Sequence, residues 1–355
     1  MRDSLLSRFR GAFLGVLLGE SIGAAYSSCA SKLAWQQILP KQFGELNQHN
    51  SSNRGVKLML AQTSALISSS SSRAFVVGND TTKKFEQTDW RDFKTPAGSA
   101  IDVAGELMLT MLPLALFYHD QPLLYRAALQ TIHPELNSTG SDESIHQARF
   151  FSAGSESALV STIAVTVVGQ VVSLILRERF ARLTLIPQVI KDLDLEDSTP
   201  DLSLHLLQVQ TWLEEATDLA RVARQIKQMS TDSTISAPSL VLMLVLYSFL
   251  STPEDFRLSL LRCAQLHSST LLPALTGALA GLYNGLSSLP IAWRRQIWSD
   301  QATQLHQHWG IASELEVEQL ADHLLACWSG VMNPLWLQQP RFHCITAAPR
   351  TIRPD

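Results

Sequence analysis

The chain has 355 residues, of which 46% are hydrophobic and 17% charged, and its formal net charge at pH 7 is −4. This length and apolar fraction exclude a disordered chain and are sufficient for one large globular domain or two. The small negative charge, with acids and bases interspersed, gives no basic surface for DNA, RNA or an anionic membrane.

The first predicted element is the segment RFRGAFLGVLLGESIGAAY, residues 8–26. Its GESIG core fits the G-x-S-x-G elbow of serine hydrolases, in which Ser21 would be the nucleophile. That elbow follows several strands of a sheet, and only twenty residues precede Ser21. Glycines four residues apart instead share one helical face, where another backbone can approach closely. We predict a packed helix with its glycine face formed by Gly11, Gly15, Gly19 and Gly23.

The N-terminus and the cysteines indicate the compartment. Arginines before an apolar run imitate a secretory signal, but Glu20 and the glycine spacing interrupt that run. The four cysteines lie far apart, without a C-x-x-C pair or zinc spacing, which is typical of free thiols in a reducing compartment. We expect a cytoplasmic protein.

Helical periodicity extends through most of the chain, and alternation typical of strands is scarce. We predict an all-α fold, with helices over 107–118, 156–182, 202–229 and 314–328. Loops are predicted at the serine run 68–72, at 135–144 and at the acidic stretch 192–201. The acidic stretch lacks the turn glycine of a calcium loop, so we interpret it as a solvated loop.

Two uncharged stretches, residues 157–176 and 233–252, are long enough to cross a bilayer. Both contain hydroxyl or amide residues or a proline, and the mean hydropathy of the chain is only +0.07. Long apolar helices at the centre of an all-helical protein have the same composition. We favour core helices and keep a membrane-associated helical protein as an alternative.

A second glycine series lies in TGALAGLYNGLSSLPIAW, residues 276–293, where Gly277, Gly281 and Gly285 are again four apart. Two such faces can pack against each other, so we predict that the early and late segments are neighbours. This late segment resembles the ADP-ribosylglycohydrolase family, which typically reads G-A-L-A-G, then G-L and I-P-x-x-W. The opening helix is similar to the family's first helix, with Glu20 where the family has aspartate, and AGELMLTMLPLALFY (104–118) resembles its middle segment.

The resemblance implies a single compact multi-helix domain of the ADP-ribosylglycohydrolase type. We assign it residues 1–335 and leave 336–355 as a C-terminal tail. Active members of the family hold two magnesium ions in a cleft, and such hard cations require oxygen ligands, chiefly carboxylates.

The carboxylates of the family's metal boxes are missing from the matching positions. The box G-D-x-D-T falls on His267, Ser268, Ser269, Thr270 and Leu271, so hydroxyls replace both aspartates. The box T-D-D-T corresponds to the acid-free stretch 51–71, near residues 54–57, and Thr110 replaces the usual arginine of the middle segment. Asp80 lies too far downstream to substitute. We expect no cofactor, magnesium included.

The candidate site residues follow from the resemblance. Glu20 is the one catalytic candidate, and the ligand-binding candidates are Glu20, Gly23, His267, Ser268 and Thr270, with no metal ligand. A single histidine at a helix entrance is more often a capping residue than a ligand. His133, His306 and His308 are unassigned, because they lack partners at metal spacing.

The sequence therefore predicts an ADP-ribosylglycohydrolase-like pseudoenzyme that binds a small ADP-ribose-like molecule or a protein through the family's cleft. The alternative is an active hydrolase of N- or O-glycosidic ADP-ribose linkages with a rearranged site around Glu20. No nucleic-acid or membrane partner is expected.

Overall fold

The computed structural model describes residues 3–28, 54–71, 99–132, 155–231, 235–299 and 308–330, and the regular elements in these ranges are all helical. The predicted all-α class is confirmed. The predicted boundary at residue 335 lies outside the described residues and stays a prediction. In chain order the helices are α1 (Leu5–Ser28), α2 (Arg54–Ser71), α3 (Ala100–Thr110), α4 (Leu112–Phe117), α5 (Pro122–Ile132), α6 (Ser155–Leu176), α7 (Leu185–Leu193), α8 (Leu195–Ser198), α9 (Pro200–Glu214), α10 (Leu219–Thr231), α11 (Ala237–Ser251), α12 (Phe256–Leu266), α13 (Leu271–Asn284), α14 (Ile291–Ser299) and α15 (Glu314–Trp328), with a 3₁₀ turn at Leu286–Ser288.

Proline and a left-handed residue divide two of the predicted helices. The helix predicted over 107–118 is interrupted at Met111, because Pro113 in the first turn of α4 has no N–H to donate. The helix predicted over 202–229 is two helices, α9 and α10, because the chain turns at Ala216 with φ 49°. Continuous apolar spacing hid both breaks, so the prediction of single helices was wrong there.

The other predicted elements differ mainly at their ends. Helix α6 ends at Leu176 rather than 182, because the N–H of Arg179 donates to the carbonyl of Leu174 (2.9 Å) across a left-handed Glu178. Helix α15 has the predicted bounds. Residues 68–71 of the predicted serine loop are part of α2, and the acidic stretch contains the short helix α8, so these two loop predictions were wrong. The predicted loop at 135–144 lies outside the described residues.

The two glycine series pack directly against each other. Helices α1 and α13 run antiparallel, with Gly11 opposite Gly281, Gly15 opposite Gly277 and Gly19 opposite Pro273. A Cβ atom at Gly15 or Gly277 would overlap the partner's carbonyl oxygen, so only glycine allows this approach. The predicted proximity of the early and late segments is confirmed.

The apolar helices form the core around this pair. Helix α11 is buried from Pro238 to Leu250. The segments Ala100–Phe117 and Leu159–Leu176 are long and apolar enough to cross a membrane by length and composition, and they are 78% and 61% buried within the fold. Most of that apolar surface is therefore in contact with other helices.

An ion-pair network fixes α15 against α1. Arg10 donates to both carboxylate oxygens of Asp322, at 2.7 and 2.6 Å, and lies 3.1 Å from Glu318. Arg294 of α14 pairs with Glu314 and Glu318 of α15. Because α15 is held in this way, the segment before it lies over the C-terminal half of α1, where Glu20 is located.

Candidate functional site

Glu20 is enclosed by protein on the side of α1 that meets residues 308–309. Its side chain is 1% exposed, and its Oε2 accepts a hydrogen bond of 2.5 Å from the indole Nε1 of Trp309. Its Oε1 is buried and has no hydrogen-bond partner among the described residues. Trp309 is itself 2% exposed and lies edge-on to Trp298. The catalytic candidate is thus engaged by an aromatic side chain.

Burial controls the charge of Glu20. Removal from water raises the pKa of Glu20 from 4.5 to about 8, and the hydrogen bond from Trp309 and the positive charge of Lys57 only partly oppose this. At neutral pH the carboxyl is therefore mainly protonated. A neutral carboxyl is a poor ligand for Mg²⁺, which binds anionic oxygens.

Ser21 is a buried helix residue. It is fully shielded from solvent, and its hydroxyl donates to the carbonyl of Leu17 at 2.8 Å, one turn earlier in α1. A nucleophilic serine requires a nearby general base and access for substrate. Among the described residues the Ser21 hydroxyl is bonded to its own helix and closed to solvent, which supports the packed helix over the elbow.

We expect Ser21→Ala to leave any measured activity unchanged and to change the free energy of unfolding by less than about 1 kcal/mol, because it removes one intrahelical hydrogen bond. A fluorophosphonate probe followed by peptide mass spectrometry checks the prediction, with a known serine hydrolase as the positive control. Specific labelling of Ser21 would restore the elbow interpretation.

The loop that matches the family's late metal box is held by polar contacts to α3. The hydroxyl of Ser269 donates to Asp102 Oδ1 at 2.6 Å, and the N–H of Ser269 donates to Nδ1 of His267 at 3.1 Å. Asp102 also closes a capping box with Ser99 at the start of α3. The loop before α13 is therefore fixed by hydrogen bonds between neutral groups and one carboxylate.

The other predicted half of the metal site meets this loop. Gly55 of α2 faces Leu271, since a Cβ at Gly55 would lie 3.0 Å from the Cδ2 of Leu271 and 3.5 Å from the Cα of Glu106. Beside it, Arg54 Nε lies 2.9 Å from Glu106 Oε1, an ion pair in which the glutamate side chain is 8% exposed. The starts of α2 and α13 converge beside α3, as a shared metal site would require.

The residues at this convergence do not fit two magnesium ions. A dimetal site needs several carboxylate oxygens directed at common points. Glu106 is paired with Arg54, and Asp102 is bound by Ser99 and Ser269, whereas the apolar side chain of Leu271 lies against Gly55 and Gly105. Within the described ranges, no group of three His, Cys, Asp or Glu side chains is arranged to hold a metal ion.

The candidate ligand-binding residues are only partly brought together. Gly23 contacts the loop, since a Cβ there would lie 2.8 Å from the Cα of Thr270. Ser268 is exposed, Thr270 is 8% exposed and His267 is half-buried beside Ser269. Glu20 instead contacts Trp309. His308 lies beside Trp309, whereas Asp80, His133 and His306 are outside the described residues.

Sequence reasoning missed four side chains of this region: Arg54 and Glu106 as a pair, Asp102 as the partner of Ser269, and Trp309 as the partner of Glu20. The spacing of Ser99 and Asp102 is a readable capping signal, which could have identified the start of α3. The other contacts join residues far apart in the chain and leave no local pattern.

A match to a known protein family covers nearly the whole chain. The family model described as ADP-ribosylglycohydrolase matches residues 1–329. The chain belongs to the ADP-ribosylglycohydrolase family. A solved structure described as an "ADP-ribosylglycohydrolase-related protein complex" is 19% identical, covers 91% of this chain and 99% of its own, and has a TM-score of 0.48. No curated protein matches the chain.

The resemblance read from the two glycine segments is thereby confirmed. This member of the ADP-ribosylglycohydrolase family joins its first and late helices through glycine, and its His267–Leu271 loop contains no carboxylate. Family membership accounts for the helical scaffold, while the chemistry depends on the side chains at the convergence of α2, α3 and α13.

Proposed function

We propose that this ADP-ribosylglycohydrolase-family protein is a noncatalytic binding protein, which takes an ADP-ribose-like molecule or a protein segment at the family's cleft. The observation that carries the proposal is the pair of side-chain links at the converging helix ends. Ser269 bonds to Asp102, and Arg54 pairs with Glu106, at positions where the family's dimetal site needs carboxylates directed at metal ions.

Charge explains why these links favour binding without hydrolysis. Metal-assisted glycosidic cleavage needs cations to orient the ribose and an ionised or basic group to activate water. Arg54 neutralises Glu106 internally, and the hydroxyls of Ser268 and Thr270 carry no charge. The same hydroxyls and the half-buried His267 can hydrogen-bond a polar ligand. We place this protein in the cytoplasm, without a nucleic-acid, membrane or metal requirement.

Activity assays with and without magnesium test the proposal. We expect no release of ADP-ribose from ADP-ribosylated arginine, serine or DNA-end substrates, and the same result after addition of Mg²⁺ or EDTA. An active family member assayed in parallel establishes that the substrates are competent. In the binding arm, ADP-ribose is titrated against the protein and against Ser268→Trp, which places a bulky side chain at the exposed loop position.

Saturable binding that Ser268→Trp weakens at least tenfold would support a small-molecule ligand; no ADP-ribose binding would direct the search to protein ligands.

The active-hydrolase alternative rests on the raised pKa of Glu20, a property common among catalytic acids. Magnesium-stimulated release that survives repurification and disappears in Glu20→Gln would establish that alternative and contradict our proposal.

A further inference from the structure

The hydrogen bond between Glu20 and Trp309 joins the segment that precedes α15 to α1. Trp309 lies between α1 and Trp298, and its indole N–H is satisfied by a carboxyl whose second oxygen is buried without a partner among the described residues. A neutral carboxyl tolerates that environment, whereas a carboxylate with one unpartnered oxygen in a dry site is strongly disfavoured. Ionisation would strengthen the hydrogen bond from the indole, but desolvation of the carboxylate outweighs that gain, so enclosure of this contact favours the protonated carboxyl.

We propose that Glu20 and Trp309 form a proton-controlled latch, in which the neutral carboxyl holds Trp309 in the core and loss of its proton releases residues 308–310 from α1. This inference is independent of the proposed ligand-binding function. The driving force for release is hydration of the carboxylate, which becomes available when the indole leaves and water enters.

The backbone beside Trp309 allows a movement confined to this segment. Gly310 has φ 77°, a left-handed conformation that glycine adopts without strain, and no atom of the described residues lies within 4 Å of the position of its Cβ. Helix α15 begins after it with its own cap, since the Ser313 hydroxyl accepts from the N–H of Glu316. The bidentate pair between Arg10 and Asp322 holds α15 independently of Trp309. Release of Trp309 can therefore leave α15 in place.

Of the ionisable groups described around this contact, Glu20 is the one whose protonation changes near pH 8. From α2, Lys57 acts on Glu20, and its positive charge favours the ionised form. His308 stays neutral above weakly acidic pH, because burial and Lys57 lower its pKa to about 4. Helix α13 carries no charged side chain. On α15, Glu314, Glu318 and Asp322 are engaged by arginines, and Glu316 accepts from the N–H of Ala312.

Hydrogen exchange of the Trp309 indole N–H, followed by NMR from pH 6.5 to 9.5, tests the latch. The resonance is assigned from its absence in Trp309→Phe. After correction for base catalysis, we expect exchange to accelerate about tenfold per pH unit up to a midpoint near pH 8 and to level off above it, because Glu20 then ionises in the closed state as well. Amides within α15 that exchange by local opening, without unfolding of the whole protein, should show no such acceleration.

Two variants separate the latch from general loosening of the fold. In Glu20→Gln the corrected exchange should be independent of pH, because the amide still accepts from the indole and cannot ionise. In Lys57→Met the midpoint should move to higher pH, and Lys191→Met on the exposed face of α7 is its control. A pH-dependent loss of protection that persists in Glu20→Gln, an unmoved midpoint in Lys57→Met, or the same midpoint throughout α15 would each overturn the proposal.

Discussion

Gly277→Ala is expected to lower the free energy of unfolding by about 3 kcal/mol or more, at or above the upper end of overpacking penalties. The new Cβ would overlap the carbonyl oxygen of Gly15 and come within 2.9 Å of its carbonyl carbon. Backbone atoms cannot rotate away, so α1 and α13 must separate along their length. The gain in helix propensity from alanine, roughly 0.5–1 kcal/mol, is too small to offset this.

Urea unfolding followed by circular dichroism measures the effect, with Gly105→Ala as the matched control. Gly105 is also a buried helical glycine, but its Cβ would lie 3.3 Å from the nearest atom, the Cβ of Leu271. We expect that control to change stability by less than about 1 kcal/mol, since a contact of 3.3 Å is relieved by a shift of a few tenths of an ångström. Equal midpoints for Gly277→Ala and the wild type would refute backbone contact between the glycine series.

The facing glycines also predict non-additivity. Once Gly277→Ala has separated α1 from α13, a second change at Gly15 meets a gap that already exists, because the two positions face each other. The loss in Gly15→Ala/Gly277→Ala should therefore be smaller than the sum of the two single losses. Additive losses would show that the two glycines act at separate places in the fold.

The glycine series could be predicted because the information is local. A four-residue repeat specifies a helical face, and the absence of side chains on that face specifies close packing. The helix breaks at Met111 and Ala216 were missed for a related reason. Apolar spacing continues through both positions, and only backbone geometry distinguishes a continuous helix from two consecutive ones.

The polar contacts of the site could not be predicted from spacing. Glu20 and Trp309 are 289 positions apart, and Asp102 and Ser269 are 167 apart, so neither pair lies within one helix or turn. The sequence did indicate which carboxylates were missing from the family's boxes. It did not show that Arg54 and Glu106 form an ion pair there, which depends on how α2 packs against α3.

Glu20→Gln is expected to stabilise the protein at neutral pH, and the gain should grow with pH. In the unfolded chain Glu20 ionises near its ordinary pKa of 4.5, whereas in the folded protein burial raises the pKa to about 8. Folding at intermediate pH therefore takes up a proton, and the free energy of unfolding of the wild type falls as pH rises between these values. Glutamine keeps the shape and the acceptor for Trp309 but needs no proton.

The difference between Glu20→Gln and the wild type should be close to zero at pH 4.5 and about 3 kcal/mol at pH 7, at roughly 1.4 kcal/mol for each pH unit above the unfolded pKa. It should level off above pH 8, where the folded carboxyl also ionises. Urea unfolding at several pH values measures this slope, with the exposed Glu254→Gln as the control for a changed net charge. A constant difference across this range would mean that Glu20 is ionised in the folded protein, and its contact with Trp309 would then be a charged hydrogen bond.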